Sequence, residues 1–130
     1  MEKINLEKLV KNWLLQAEAD FESAKYNLKG KKLDVAAYLC HQSSEKSLKS
    51  LYLKQRNELF KTHDLIKLGT LVNAPKEIIN ACNTLNPIYS DDRYPDFSDI
   101  IPAKRFASSD IKTFLSKAKE ILIWIKKELK

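Results

Sequence analysis

Residues 34–55 have the sequence DVAAYLCHQSSEKSLKSLYLKQ, and this stretch decides the fold. It contains neither Gly nor Pro. Small or apolar side chains recur in it at steps of three and four, at Ala37, Cys40, Ser44, Leu48 and Leu51. That spacing predicts one buried face of a long α-helix. Asp34, just before the first of them, can cap its first turn.

A second stripe of the same helix is also periodic, but each of its members can form hydrogen bonds. It consists of Tyr38, Gln42, Glu45, Lys49 and Tyr52. The Glu-to-Lys spacing of four stabilises a helix modestly and is typical of a solvated face. The two tyrosines fit that interpretation less well, because aromatic rings prefer partial burial. The stripe therefore predicts either a solvated face or a groove or dimer seam.

The flanking segments repeat the helical spacing. Residues 6–29 carry one apolar stripe, and Gly30 is expected to end that helix. A last helix is predicted from Ser108 or Ser109 to about Leu129, capped by one of the two serines.

Two shorter helices are predicted between the long ones. Thr62 or Asp64 can cap the first, Pro75 suits the start of the second, and Pro87 should kink or end that second helix. No strand pattern competes. The sequence predicts an all-α, up-down bundle of four to five helices, in a single domain over residues 1–130.

The chain of 130 residues carries a net charge of +6, from 23 basic and 17 acidic residues. This charge favours acidic partners such as a nucleotide or RNA, although a solvated, Lys-rich surface also explains it. The two cysteines lack CxxC spacing and only two histidines accompany them, so we expect neither a metal site nor a cofactor. No signal peptide and no membrane span is expected, which predicts a cytoplasmic protein.

Several short motifs follow one another in a characteristic order. They are Ala36-Ala37-Tyr38, then Gln42, Glu45, Lys46 and Lys49, then Thr62-His63-Asp64-Leu65, and then Arg93-Tyr94-Pro95-Asp96. From about Trp13 to Leu129 the chain resembles the HEPN family. The resemblance implies a helical bundle of a kind that often forms homodimers. Many members are encoded beside a minimal nucleotidyltransferase, in toxin–antitoxin-like pairs. Many such proteins are metal-independent ribonucleases with an Arg-x4–6-His signature near the last helix.

The ribonuclease signature is missing from that position, because no histidine follows His63. Arg56 and His63 have the required separation, but they lie between the second and third helices. We therefore expect an interaction or nucleotide-binding module. The alternative is a ribonuclease in which His63 acts with Arg56 or Arg93, as base and cation. His63 can equally fix its turn by bonding to the backbone.

The loop around Arg93 completes the predicted site. Arg93 can bind a phosphate or carboxylate in a forked manner, and Tyr94 can stack on a base or accept a modification. Asp96 can pair with Arg93, or with Lys46 or Lys49 of the second helix. The loop can also simply be clamped to the bundle by these side chains. The predicted nucleotide- or partner-binding residues are Gln42, Glu45, Lys46, Lys49, His63, Arg93, Tyr94 and Asp96.

Overall fold

A computed structural model of the chain describes residues 3–91 and 100–130. Within these residues the chain is helical and contains no strand. The helices are α1 (Lys3–Lys29), α2 (Leu33–Arg56), α3 (Leu65–Leu71), α4 (Lys76–Leu85), α5 (Pro87–Asp91) and α6 (Ser108–Glu128). A 3₁₀ turn, Pro102–Lys104, precedes α6. The predicted all-α bundle is confirmed, with the one-turn α5 as an addition.

Helix α2 lies at the centre of the bundle. Fourteen of its 24 residues are buried, and it contacts each of the other five helices. It packs most extensively against α1. In this interface Ser43 Oγ donates a hydrogen bond of 2.7 Å to the carbonyl oxygen of Ala17. Small side chains on both helices allow this approach, because Ala17, Ala24 and Ala37 are fully buried.

The apolar core forms where α2 meets α3, α4 and α6. Its largest fully buried side chains include Leu48, Leu51, Leu65, Leu68, Leu85, Ile111, Ile121 and Ile125. Cys40 and Cys82 are buried free thiols in the same core, and burial raises the pKa of each to about 12. They act as small apolar residues, as expected for Cys40. No helix of the described ranges is long and apolar enough to cross a membrane.

The helix ends lie close to the positions predicted from the sequence, and three of the predicted capping residues differ from those observed. Asp64 caps α3, where its side chain accepts a hydrogen bond from the Lys67 backbone N–H. However, Lys32 and Ala107, not Asp34 and a serine, occupy the N-cap positions of α2 and α6. Ala107 offers no side-chain acceptor, and its own N–H donates to Asp110 at 2.8 Å.

The third difference lies in the turn between α1 and α2. Gly30 follows the last residue of α1, but the left-handed backbone conformation falls on Lys31, with φ of 60°. A lysine in this conformation is strained, because its Cβ approaches the backbone in a way that a glycine would avoid. Pro87 behaves as expected, since α4 ends at Leu85 and α5 begins with the proline.

Candidate functional site

The polar stripe of α2 is mostly buried, which excludes the solvated-face interpretation for its central members. Glu45 is 4% and Lys49 is 8% exposed, and Lys49 Nζ lies 2.9 Å from Glu45 Oε2. Tyr52 is also buried, with its hydroxyl donating to Glu58 at 2.7 Å. Buried ions cost several kcal/mol each unless they are paired, so the contact between Glu45 and Lys49 is a requirement of the fold.

The second oxygen of Glu45 holds His63. The imidazole Nδ1 lies 2.8 Å from Glu45 Oε1, and a carboxylate can only accept, so Nδ1 carries the hydrogen. The ring of His63 stacks on Tyr89 of α5, with centroids 4.0 Å apart. Among the described residues, the ring of His63 is therefore held by a side chain of α2 and an aromatic ring, rather than by the backbone contact that the sequence also suggested. Its own side chain is 49% exposed, which leaves the ring accessible.

His41 occupies the opposite environment one turn before Glu45. It is fully buried, its Nδ1 lies 3.8 Å from Glu45 Oε1, and neither ring nitrogen forms a hydrogen bond of good geometry with another described residue. Burial lowers the pKa of His41 to about 4, which outweighs the opposing effects of the Glu45 carboxylate and the His63 backbone. His41 is consequently a neutral ring near pH 7, and the nearer partner of Glu45 is His63.

The other predicted residues of α2 contact neighbouring side chains. Lys46 Nζ lies 2.6 Å from Asp20 of α1, whose other oxygen accepts from Gln16 at 2.9 Å. Gln42 donates to the hydroxyl of Tyr38, one turn earlier. Lys46 thus joins α2 to α1, on the side of α2 that faces Trp13 and Gln16.

Of the two arginine candidates, only Arg56 lies within the described residues, and its contacts are away from His63. Arg56 donates to the carbonyl oxygen of Leu71 at 3.1 Å and its guanidinium lies over the ring of Tyr52. Leu71 ends α3 while His63 precedes its start, and the helix between them is about 9 Å long at 1.5 Å per residue. Arg93, Tyr94 and Asp96 lie outside the described residues.

A pocket of about 320 Å³ opens beside the imidazole. It is lined by Lys49, Lys61, Thr62 and His63. Two ammonium groups, a hydroxyl and an imidazole are all groups that bind phosphate or carboxylate oxygens. Because Lys49 already neutralises Glu45, the exposed Lys61 leaves the pocket with a positive charge.

Comparison with known proteins identifies the family to which the chain belongs. The sequence matches the HEPN domain family over residues 10–129. The chain belongs to the HEPN family. Two crystal structures show the same HEPN fold, an archaeal HEPN homologue named ST0689 and TT1696 from Thermus thermophilus. No curated protein matches.

The two structural matches extend over nearly the whole of each chain. ST0689 is 31% identical with a TM-score of 0.80, covering 93% of this chain and 98% of its own. TT1696 is 25% identical with a TM-score of 0.84, covering 92% of this chain and 97% of its own. The predicted HEPN membership is confirmed by the sequence family and by the fold.

Two residues of the candidate site were not predicted from the sequence. Tyr89 supplies the ring on which His63 stacks, and Lys61 lines the pocket beside it. The only sequence signal for Lys61 as a site residue is its position two residues before His63. Among residues 3–91 and 100–130, no group of three or more His, Cys, Asp or Glu side chains is arranged to hold a metal ion.

Proposed function

We propose that this HEPN protein binds a nucleotide through its phosphates in the pocket beside His63, and acts as the partner of a minimal nucleotidyltransferase. The observation that carries the proposal is the convergence of Lys49, Lys61, Thr62 and His63 on one cavity. The carboxylate of Glu45 is compensated by Lys49 at 2.9 Å, so it does not repel an incoming phosphate. The net charge of +6 further raises the local concentration of anionic ligands.

Calorimetric titration with ATP and with inorganic triphosphate tests the phosphate site. We expect both to bind wild-type protein at low salt and to bind more weakly as salt rises. Lys61→Ala should weaken both ligands several-fold, since it removes an exposed positive charge that lines the pocket. The matched control is Lys32→Ala. Lys32 is exposed and lies at the start of α2, about 25 Å along the helix from Lys49 of the pocket, so its loss should change neither affinity by more than about two-fold. A wild-type protein that binds neither ligand contradicts the proposal.

The partnership rests on HEPN family membership and has its own test. The protein should form a stable complex with a small nucleotidyltransferase encoded beside it, detectable as co-elution from a sizing column after co-expression.

We also propose that the protein forms a homodimer, which is tested by the mass of the isolated protein in solution. Its proposed location is the reducing cytoplasm, where the buried thiols of Cys40 and Cys82 stay reduced. A monomer in isolation contradicts the dimer alone.

A metal-independent ribonuclease is the second candidate, favoured by the contact between Glu45 and His63. In the neutral imidazole, the hydrogen on Nδ1 is donated to the carboxylate, and Nε2 is then the nitrogen that can accept a proton from a ribose 2′-hydroxyl. Lys61, which lines the pocket, can supply the cation that such a reaction needs, whereas Arg56 contacts Leu71 instead. Arg93, the other cation predicted from the sequence, lies outside the described residues.

Expression of the protein without its partner distinguishes the two candidates. Growth arrest with RNA decay that is lost in His63→Ala supports the ribonuclease and contradicts a purely binding role. Stable RNA with intact nucleotide binding supports the binding module. Lys32→Ala again serves as the control, because it should behave as wild type in both assays.

A further inference from the structure

A second concavity lies on the α1 side of α2. It has a volume of about 250 Å³ and is lined by Leu9, Asn12, Trp13, Gln16 and Lys46. Four of these residues belong to α1, so their spacing of three and four gives one continuous face. Trp13 is only partly buried, and it is the one aromatic residue in the lining. A large ring left partly open in a groove offers stacking area to a flat ligand.

Lys49 connects this concavity with the pocket beside His63. Its Nζ atom lies 5.9 Å from the centroid of the Trp13 ring, and the same side chain lines the His63 pocket. Glu45 fixes the ammonium group at 2.9 Å. An aromatic surface and the proposed phosphate pocket therefore flank one lysine whose ammonium group is held in place.

The polar groups around Trp13 are of the kind that contact base edges. Asn12 and Gln16 each carry an amide, which has both donors and an acceptor. Gln16 uses its Nε2 to donate to Asp20, so its amide oxygen remains as an acceptor for an amino group on a base. Lys46 Nζ lies 2.6 Å from Asp20 Oδ2, so this contact holds the Lys46 side chain in place where it lines the concavity. Aromatic stacking together with amide contacts to base edges is a recurring means of recognising unpaired bases.

We propose that Trp13 is the platform on which the base of the bound nucleotide stacks. This inference rests on the proposed phosphate site, and it adds that the ligand is a single nucleotide lying across Lys49. The phosphates then contact Lys49, Lys61 and His63, while the base lies between Trp13 and the amides of Asn12 and Gln16. The two concavities, of about 250 and 320 Å³, lie near the lower limit of pockets for drug-sized ligands. A nucleotide has two chemically different ends, one for each of them.

Titration of Trp13→Leu with ATP and with inorganic triphosphate tests the platform. In wild-type protein ATP should bind more tightly than triphosphate, because only ATP carries a base. Trp13→Leu should weaken ATP about ten-fold, the loss expected for one stacked base, and should change triphosphate affinity by less than about two-fold. The control is Tyr26→Leu, which removes a ring from α1 that is 76% exposed and outside the groove; it should affect neither ligand.

Tryptophan fluorescence provides a test in which Trp13 is kept. Trp124 is the second of two tryptophans, so Trp124→Phe leaves Trp13 as the sole emitter. ATP should quench or shift its emission, and triphosphate should leave it within a few per cent. This measurement decides the matter if Trp13→Leu does not fold.

The outcomes separate this inference from the phosphate site. If Trp13→Leu binds ATP like wild type while Lys61→Ala weakens it, the base lies elsewhere and the phosphate site stands. Equal affinity of wild-type protein for ATP and triphosphate, or unchanged Trp13 emission with bound ATP, also overturns the platform. Absence of binding by both ligands overturns the platform and the phosphate site together.

Discussion

His63 Nδ1 lies 2.8 Å from Glu45 Oε1, which joins the connection before α3 to the middle of α2. The same carboxylate is bonded to Lys49 through its other oxygen. One buried acid therefore orients an accessible imidazole and compensates a buried ammonium group. The side chains of His63 and Lys49 both line the proposed phosphate pocket, so the geometry of the pocket depends on Glu45.

Replacing Glu45 with glutamine should destabilise the protein strongly. The amide keeps the shape of the side chain but leaves Lys49 charged and buried without a counter-ion, which costs about 3 kcal/mol or more. The free energy of unfolding in urea measures this loss. Glu22→Gln is the matched control, because Glu22 pairs with Lys25 at 3.4 Å with both side chains largely exposed. It should cost less than about 0.5 kcal/mol, and equal losses in the two variants would contradict the argument.

Asp64→Ala should loosen the turn that presents His63. Asp64 Oδ1 accepts from the Lys67 N–H at 3.1 Å and from Asn86 Nδ2 at 3.2 Å. Loss of such a cap costs about 1 kcal/mol, and amide hydrogen exchange should become faster in α3 than in α2. Asp34→Ala is a fitting comparison, because Asp34 lies in the first turn of α2 without a capping role. It should cost about half as much, and its exchange pattern should remain that of wild type.

The helices could be predicted from sequence because their signals are local. Apolar residues at steps of three and four determine which face of α2 is buried, and Asp64 and Pro87 act within a turn of their own positions. The HEPN motifs likewise lie in order along the chain. Membership and fold therefore follow from patterns that do not require the tertiary structure.

The site could be predicted only as a set of residues, because its contacts join distant segments. Glu45 has the same spacing to Lys49 as any solvated helix pair, and its burial comes from the packing of α1 and the turn around His63 against α2. Tyr89 has no sequence relation to His63 and meets it only because α5 folds back onto α2. Lys46 could not be assigned to Asp20 either, since 26 residues separate them.

In the turn between α1 and α2, Gly30 lies one position before Lys31, the residue that adopts the left-handed conformation. Lys31→Gly should stabilise the protein by about 1 kcal/mol, because Lys31 has φ of 60° and glycine adopts this conformation without strain. Gly30→Ala should also be neutral or stabilising by about 0.5 kcal/mol, since an added Cβ would come no closer than 3.8 Å to its neighbours. Urea unfolding measures both. A loss of stability in Gly30→Ala would indicate that Gly30, and not Lys31, requires the left-handed conformation.

His41 should make the stability of the protein depend on pH below neutrality. Burial lowers its pKa from 6.5 to about 4 in the folded state, so between these values the unfolded chain binds more protons than the folded one. Stability is therefore full above pH 6.5 and falls as the pH drops towards 4. A shift of this size corresponds to about 3 kcal/mol in total, of which about 2 kcal/mol is lost by pH 5.

The variant His41→Phe isolates this contribution from that of other acidic and basic groups. Glu45, His63, Lys49 and Tyr89 surround the ring and remain in both proteins. The free energy of unfolding should fall less steeply between pH 7.5 and pH 5 in the variant, by about 2 kcal/mol. At pH 7.5 the variant should be no less stable than wild type, because an apolar ring replaces two buried nitrogens that form no hydrogen bond of good geometry with a described residue. Parallel pH profiles would mean that the folded protein accommodates a charged His41, and hence that its buried environment is more polar than its contacts indicate.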